Sequence, residues 1–243
     1  MRVKSLLTIA ASLILALFLL YLSYGLVGRF TVSSFNVETI PLPYSVESII
    51  LPPVGRNRLT FSKREIKKSL ESLPYIADAG VSEKGGVLNI TGSAEDNGII
   101  MTDGRGWYFY SDGIAALSEK DVYSLSSLYL ILRVDPALMD NLLSLSASRD
   151  EKAMISTLIE LKRSSALITM AEYGNNKPCG YPLSLTLRLD ALSSYLVLEN
   201  IADAERIEEA LGIIENEYTQ TGALRMGEWT TYVLTGSRLI ETR

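Results

Sequence analysis

The side chains from which this chain could build an acid–base site are Glu65, Glu71, Asp78, Asp103 and Asp112. No histidine occurs in the 243 residues to complete a Ser-His or Cys-His pair, and the single cysteine, Cys179, has no internal disulfide partner. Zinc centres built on His and Cys are excluded on the same ground, whereas a Ser-Lys dyad or a carboxylate metal site is not. No spacing singles either one out. Glu65 and Glu71 fall on the polar side of a helical pattern. Asp103 and Asp112 each precede a turn glycine, where a carboxylate caps the backbone. The stretch DGRG, residues 103–106, lacks the lysine and spacing of a phosphate loop and reads as a turn. Asn89-Ile90-Thr91 matches a glycosylation sequon inside a strand pattern and is read as chance, and Cys179 is placed in a loop. The residues therefore point away from an enzyme, with no cofactor and no metal expected.

The elements that must position these groups belong to a folded chain. Apolar residues make up 47 % and charged residues 21 %, which suits a packed core. Arg2 and Lys4 charge the first 28 residues +2 and leave the remainder at −7. An acidic body is a poor nucleic-acid binder, because phosphate recognition draws on Lys and Arg.

From Leu6 to Val27 the chain runs 22 residues without a charge, roughly 33 Å of helix against a hydrocarbon core of about 30 Å. Arg2 and Lys4 precede it and Tyr21 and Tyr24 sit near its far end, so it reads as an uncleaved transmembrane helix over 6–27 with a cytoplasmic tail at 1–5. A cleaved signal peptide is the competing reading.

Beyond it, RFTVSSFNVETI has strand composition, PYSVESIIL reads as a short helix, and SKREIKKSLESL as a helix with Ser62 as N-cap and Glu65 closing a capping box. Ile66, Leu70 and Leu73 make its apolar stripe, and Pro74 stops it. YIADAGVSE and VLNITG flank Lys84-Gly85-Gly86 and pair as a hairpin. Residues 29–92 thus form a small βααββ domain. Residues 93–235 follow as a mixed or antiparallel sheet domain with packed helices, and 236–243 as a tail. IIMTDGRGWYFYSDGIAAL gives three strands separated by Asp-Gly turns. PALMDNLLSLSA and DEKAMISTLIELKRSS give helices, and ALITMAEYG, LSLTLRL and SSYLVLE give strands. DAERIEEALGIIENEYTQTG is a helix with Ile207, Leu211, Ile214 and Tyr218 on one face, and EWTTYVLTG is a last strand. The fold class is α+β.

This order resembles the FtsQ/DivIB cell-division family, a single-span anchor followed by a POTRA domain and a β domain. The matching places are Gly55 and Asn57, Leu70, Leu73-Pro74, Tyr75-Ile76, Ala79 and Val81 around an inserted Gly80, then Leu88 and Ile90. The family's Glu-Arg-x-Pro sequel is replaced by TGSAEDNGII. The resemblance implies a membrane-anchored divisome scaffold at the septum, with its carboxyl-terminal part outside the cytoplasmic membrane. It implies binding of FtsL- and FtsB-type partners by strand addition on Trp229, Thr230, Thr231, Tyr232, Val233 and Leu234. The alternatives are an anchored or secreted extracytoplasmic enzyme, or another POTRA-containing envelope protein.

Overall fold

A computed structural model describes residues 12–23, 32–37, 62–174, 184–199, 203–221, 228–236 and 238–242. The chain divides into two compact units, Met1–Ala94 and Glu95–Arg243.

In the first unit, residues 12–23 form helix α1 with its apolar side chains exposed. This corrects the expected transmembrane helix. Among the described residues no helix is long and apolar enough to cross a membrane. The tail at 1–5, the helix expected from PYSVESIIL, Gly55, Asn57 and Cys179 lie outside the described residues.

Three strands make a sheet ordered β1-β3-β2, from β1 (Ser34–Val37), β2 (Ile76–Lys84) and β3 (Val87–Ala94). β1 runs parallel to β3, and β2 antiparallel to it. Between β1 and β2 lies α2 (Lys63–Glu71), whose N-cap Ser62 accepts the Glu65 N–H at 3.2 Å. That bond satisfies one orphan donor of the first turn. Ile66 and Leu70 are buried and Leu73 half-buried, so the stripe exists as the spacing requires. The helix stops at Glu71, before Pro74. The hairpin is tight because Gly85 and Gly86 carry φ of 64° and 87°, the doubly positive turn that two-residue connections favour. Its register pairs Val81 with Ile90, of which only Ile90 is fully buried.

The second unit holds a nine-stranded sheet ordered β12-β11-β10-β9-β8-β7-β4-β5-β6. Its strands are β4 (Ile99–Thr102), β5 (Trp107–Tyr110), β6 (Ile114–Leu117), β7 (Ile131–Val134), β8 (Met170–Gly174), β9 (Ser184–Leu189), β10 (Ser194–Leu198), β11 (Thr230–Thr235) and β12 (Arg238–Thr242). It is mixed, with parallel pairs at β4–β7, β7–β8 and β10–β11. The helices are α3 (Glu119–Leu125), α4 (Pro136–Leu143), α5 (Arg149–Ser164) and α6 (Ala204–Thr221). One core joins Leu185, Leu187 and Leu189 of β9, Leu196 and Leu198 of β10, and Tyr232 and Leu234 of β11. Leu158 and Leu161 of α5 pack into it, with Ile207, Leu211 and Ile214 of α6. Strict alternation along β9 sends its leucines inward and leaves Thr186 and Arg188 on the other face. A full capping box, Ser148 with Glu151, starts α5.

The expected tail at 236–243 is not a tail. Thr235 pairs with Arg238 across a two-residue connection, Gly236 has φ 58°, and Arg238–Thr242 lies antiparallel to β11. The expected last strand is thus the second to last.

Candidate functional site

Of the candidate acids, Glu71, Asp78 and Asp103 are engaged in ion pairs. In the first unit, Lys67 Nζ lies 3.2 Å from Glu71 and 3.7 Å from Asp78, while the Glu65 backbone N–H donates to the N-cap Ser62. In the second unit, Asp103 accepts the Arg105 and Gly106 N–H groups at 2.9 and 3.3 Å and pairs with the Arg105 guanidinium. Burial acts against ionisation of Asp103, but these donors outweigh it and hold its pKa below the ordinary carboxylate value. Arg105 continues to Asp140 Oδ1 at 2.7 Å and so ties the 103–106 turn to α4. Asp112 is exposed in the turn between β5 and β6. Among the described residues no three His, Cys, Asp or Glu side chains form a group able to hold a metal ion.

The six expected docking residues lie together at β11, but not at an edge. β11 pairs with β10 on one side and β12 on the other, so both rows of its backbone groups face strands. Thr230, Tyr232, Val233 and Leu234 are buried and Thr231 is half-buried. Tyr232 and Leu234 face the core with Ile207 of α6. The docking rail cannot be β11, because a proline or a partner there would break the interior of the sheet.

Trp229 is different. It is 41 % exposed and stacks on Tyr195, ring centroids 4.7 Å apart and tilted by 31°. The Arg188 guanidinium sits 5.1 Å from its ring centroid. Arg188 and Tyr195 are cross-strand partners of β9 and β10, so the sheet register itself builds this platform. Asp190 fixes it from below, accepting Arg188 Nε–H and the Thr169 hydroxyl, each at 2.7 Å. Burial would raise the Asp190 pKa, yet the Thr169 and Arg188 donors win and lower it.

The strand beyond β11 is where the sheet stops. Among the described residues no strand pairs with the outer side of β12, whose Arg238, Ile240 and Glu241 are exposed. Ile240 sits opposite buried Val233, which in turn sits opposite buried Val197. An apolar row therefore crosses three strands and ends at an isoleucine 48 % exposed on the last one. Sequence reasoning missed this strand because Leu239-Ile240 stands between Arg238 and Glu241, too short a run to show alternation. The signal that could have found it was the Gly236 turn after a strong strand.

Compared with known proteins, the chain matches no family model and no curated protein.

Proposed function

We propose that this protein is a scaffold of bacterial cell division that holds FtsL- or FtsB-type partners by adding their strand to the outer side of β12. The observation that carries the reading is the apolar row Val197–Val233–Ile240, which runs to the edge of a large sheet and stops on an exposed side chain. A strand edge offers a row of N–H and C=O groups for pairing, and an aligned apolar side chain supplies the desolvated centre. Exposed Trp229, held rigid by Tyr195 and Arg188, supplies an aromatic anchor one strand further in. Further support comes from element order, in which a small three-stranded unit with a Leu-Pro helix exit precedes a mixed sheet ending in a helix and two strands.

The test uses proline at two neighbouring positions. In an edge strand alternate N–H groups point inward and outward, so of Ile240→Pro and Glu241→Pro one breaks a bond to β11 and the other touches only the free side. The variant with the higher melting temperature is the outward one. It should lose co-purification of the division partners while melting cooperatively. Undiminished partner recovery with that variant would overturn the reading.

A further inference from the structure

A second feature of the sheet lies far along it from β12. At one level of the strands, β6, β5, β4 and β7 present Leu117, Trp107, Thr102 and Arg133 side by side, since the register pairs Leu117 with Trp107, Trp107 with Thr102, and Thr102 with Arg133. Directly paired residues share a face, so the row reads large, large, small, large. Thr102 is the low point. Its hydroxyl donates to Gly106 O at 2.7 Å and accepts Gly104 N–H at 3.1 Å, which keeps the side chain folded against the turn. A cleft of about 460 Å³ results, lined by this row and by Met170, Glu119 and the 104–106 turn.

The two ends of the cleft differ in chemistry. Trp107 and Leu117 give apolar walls on the β5–β6 side, and on β7 Arg133 gives a guanidinium whose side chain is 53 % exposed, with Met170 on the neighbouring β8. The bond that engages Arg133 is long, 3.5 Å to Glu172, and a stretched pair open to solvent on the arginine side holds its partners weakly. Arg105, by contrast, is held by two carboxylates and adds no available head group. Glu119 stands beside Leu117, at the end away from Arg133, and disfavours an anion there.

We propose that this cleft is a binding site for a small elongated carboxylate, with its apolar body along Trp107 and Leu117 and its carboxylate on Arg133. The spacing suits such a ligand. Arg133 and Leu117 lie three strand spacings apart, about 14 Å, which an eight-carbon acid fills once the arginine side chain leans inward. A planar guanidinium recognises a carboxylate by two parallel hydrogen bonds, and neither an alcohol nor an amine can reproduce them.

The chain has two tryptophans, Trp107 and Trp229, so Trp229→Phe leaves Trp107 as the only indole reporter. In that background, octanoate, 1-octanol and octylamine are titrated against tryptophan emission. The proposal expects a saturable change with octanoate, and binding of the alcohol and the amine weaker by about tenfold or more, as loss of one charge-assisted pair requires. Arg133→Gln should bring octanoate down to the level of octanol. Added salt should weaken octanoate alone in the unsubstituted arginine protein, a readout that stands even if Arg133→Gln fails to fold. Equal binding of octanol and octanoate, or no saturable signal from octanoate, would overturn the proposal.

Discussion

A methyl group at Gly98 would enter the ring of Phe109, and this one collision shows how finely the second unit is packed at the residue scale. Phe109 has no exposed surface and meets Tyr129 edge-on, centroids 4.9 Å apart at 81°, so it has nowhere to retreat. Gly98→Ala should therefore cost roughly 1–3 kcal/mol in thermal melting. Gly113→Ala, where an added Cβ meets nothing within 4 Å, is the matched control and should stay within about 0.5 kcal/mol. Leu145 behaves in the opposite sense. It follows the C-cap of α4 with φ 59°, and its own N–H bonds to Leu142 O at 3.1 Å while Ser146 N–H bonds to Asn141 O at 2.8 Å. That pair of bonds is the helix ending that favours glycine, yet a leucine 83 % exposed occupies it. Leu145→Gly should raise stability by about 0.5–1 kcal/mol in denaturant unfolding, because relief of left-handed strain exceeds the added chain entropy. Acid sensitivity also belongs to single residues. Asp103 and Asp190 both have lowered pKa values in the fold, so their contribution is complete above the ordinary carboxylate value and is lost as pH falls through the depressed one. Melting temperature should hold down to about pH 4 and then fall, and Asp190→Asn should flatten part of that decline.

At the scale of elements, what the sequence showed and what it hid follow one physical divide. Elements with a strong period or a punctuating residue were legible. The stripe of α2 with its Ser62 cap, the Gly85-Gly86 hairpin, the leucine alternation of β9 and the apolar face of α6 all stand where spacing puts them. Leu70→Ala should accordingly cost on the order of 2–5 kcal/mol in the full chain, since Leu70 has no exposed surface; an unchanged melting temperature would refute the packing of α2. Elements whose identity depends on neighbours were not legible. β7 is four residues between two helical segments and owes its place to parallel pairing with β4 and β8. β12 is short, charged at Arg238 and Glu241, and exists through its ladder to β11. The uncharged run at 6–27 misled for the converse reason: hydropathy measures composition, whereas among the described residues no helix is long and apolar enough to cross a membrane. The docking residues were half legible. Alternation puts Tyr232 and Leu234 on one face of the strand, but only the structure shows that this face meets α6 and that β11 has neighbours on both sides.

For the whole molecule, the proposed docking edge is the β12 side of the nine-stranded sheet. The nine-stranded sheet has β6 at one side and β12 at the other, and at β12 an apolar row from the interior, Val197–Val233–Ile240, ends on an exposed side chain with a stacked tryptophan nearby. Strand addition there makes a demand on individual amides. Under the proposed strand addition, outward-facing N–H groups of Arg238–Thr242 would exchange with solvent in the free protein and be hydrogen-bonded to the partner's carbonyls in the complex. Amide hydrogen exchange of the full chain, with and without an FtsB-type partner fragment, reads this directly. Docking at β12 gives new protection at alternate residues of that strand, with β11 unchanged because its ladders are complete in both states. Protection that appears on β6 or on the three-stranded unit, with β12 exchanging as freely as before, would contradict it.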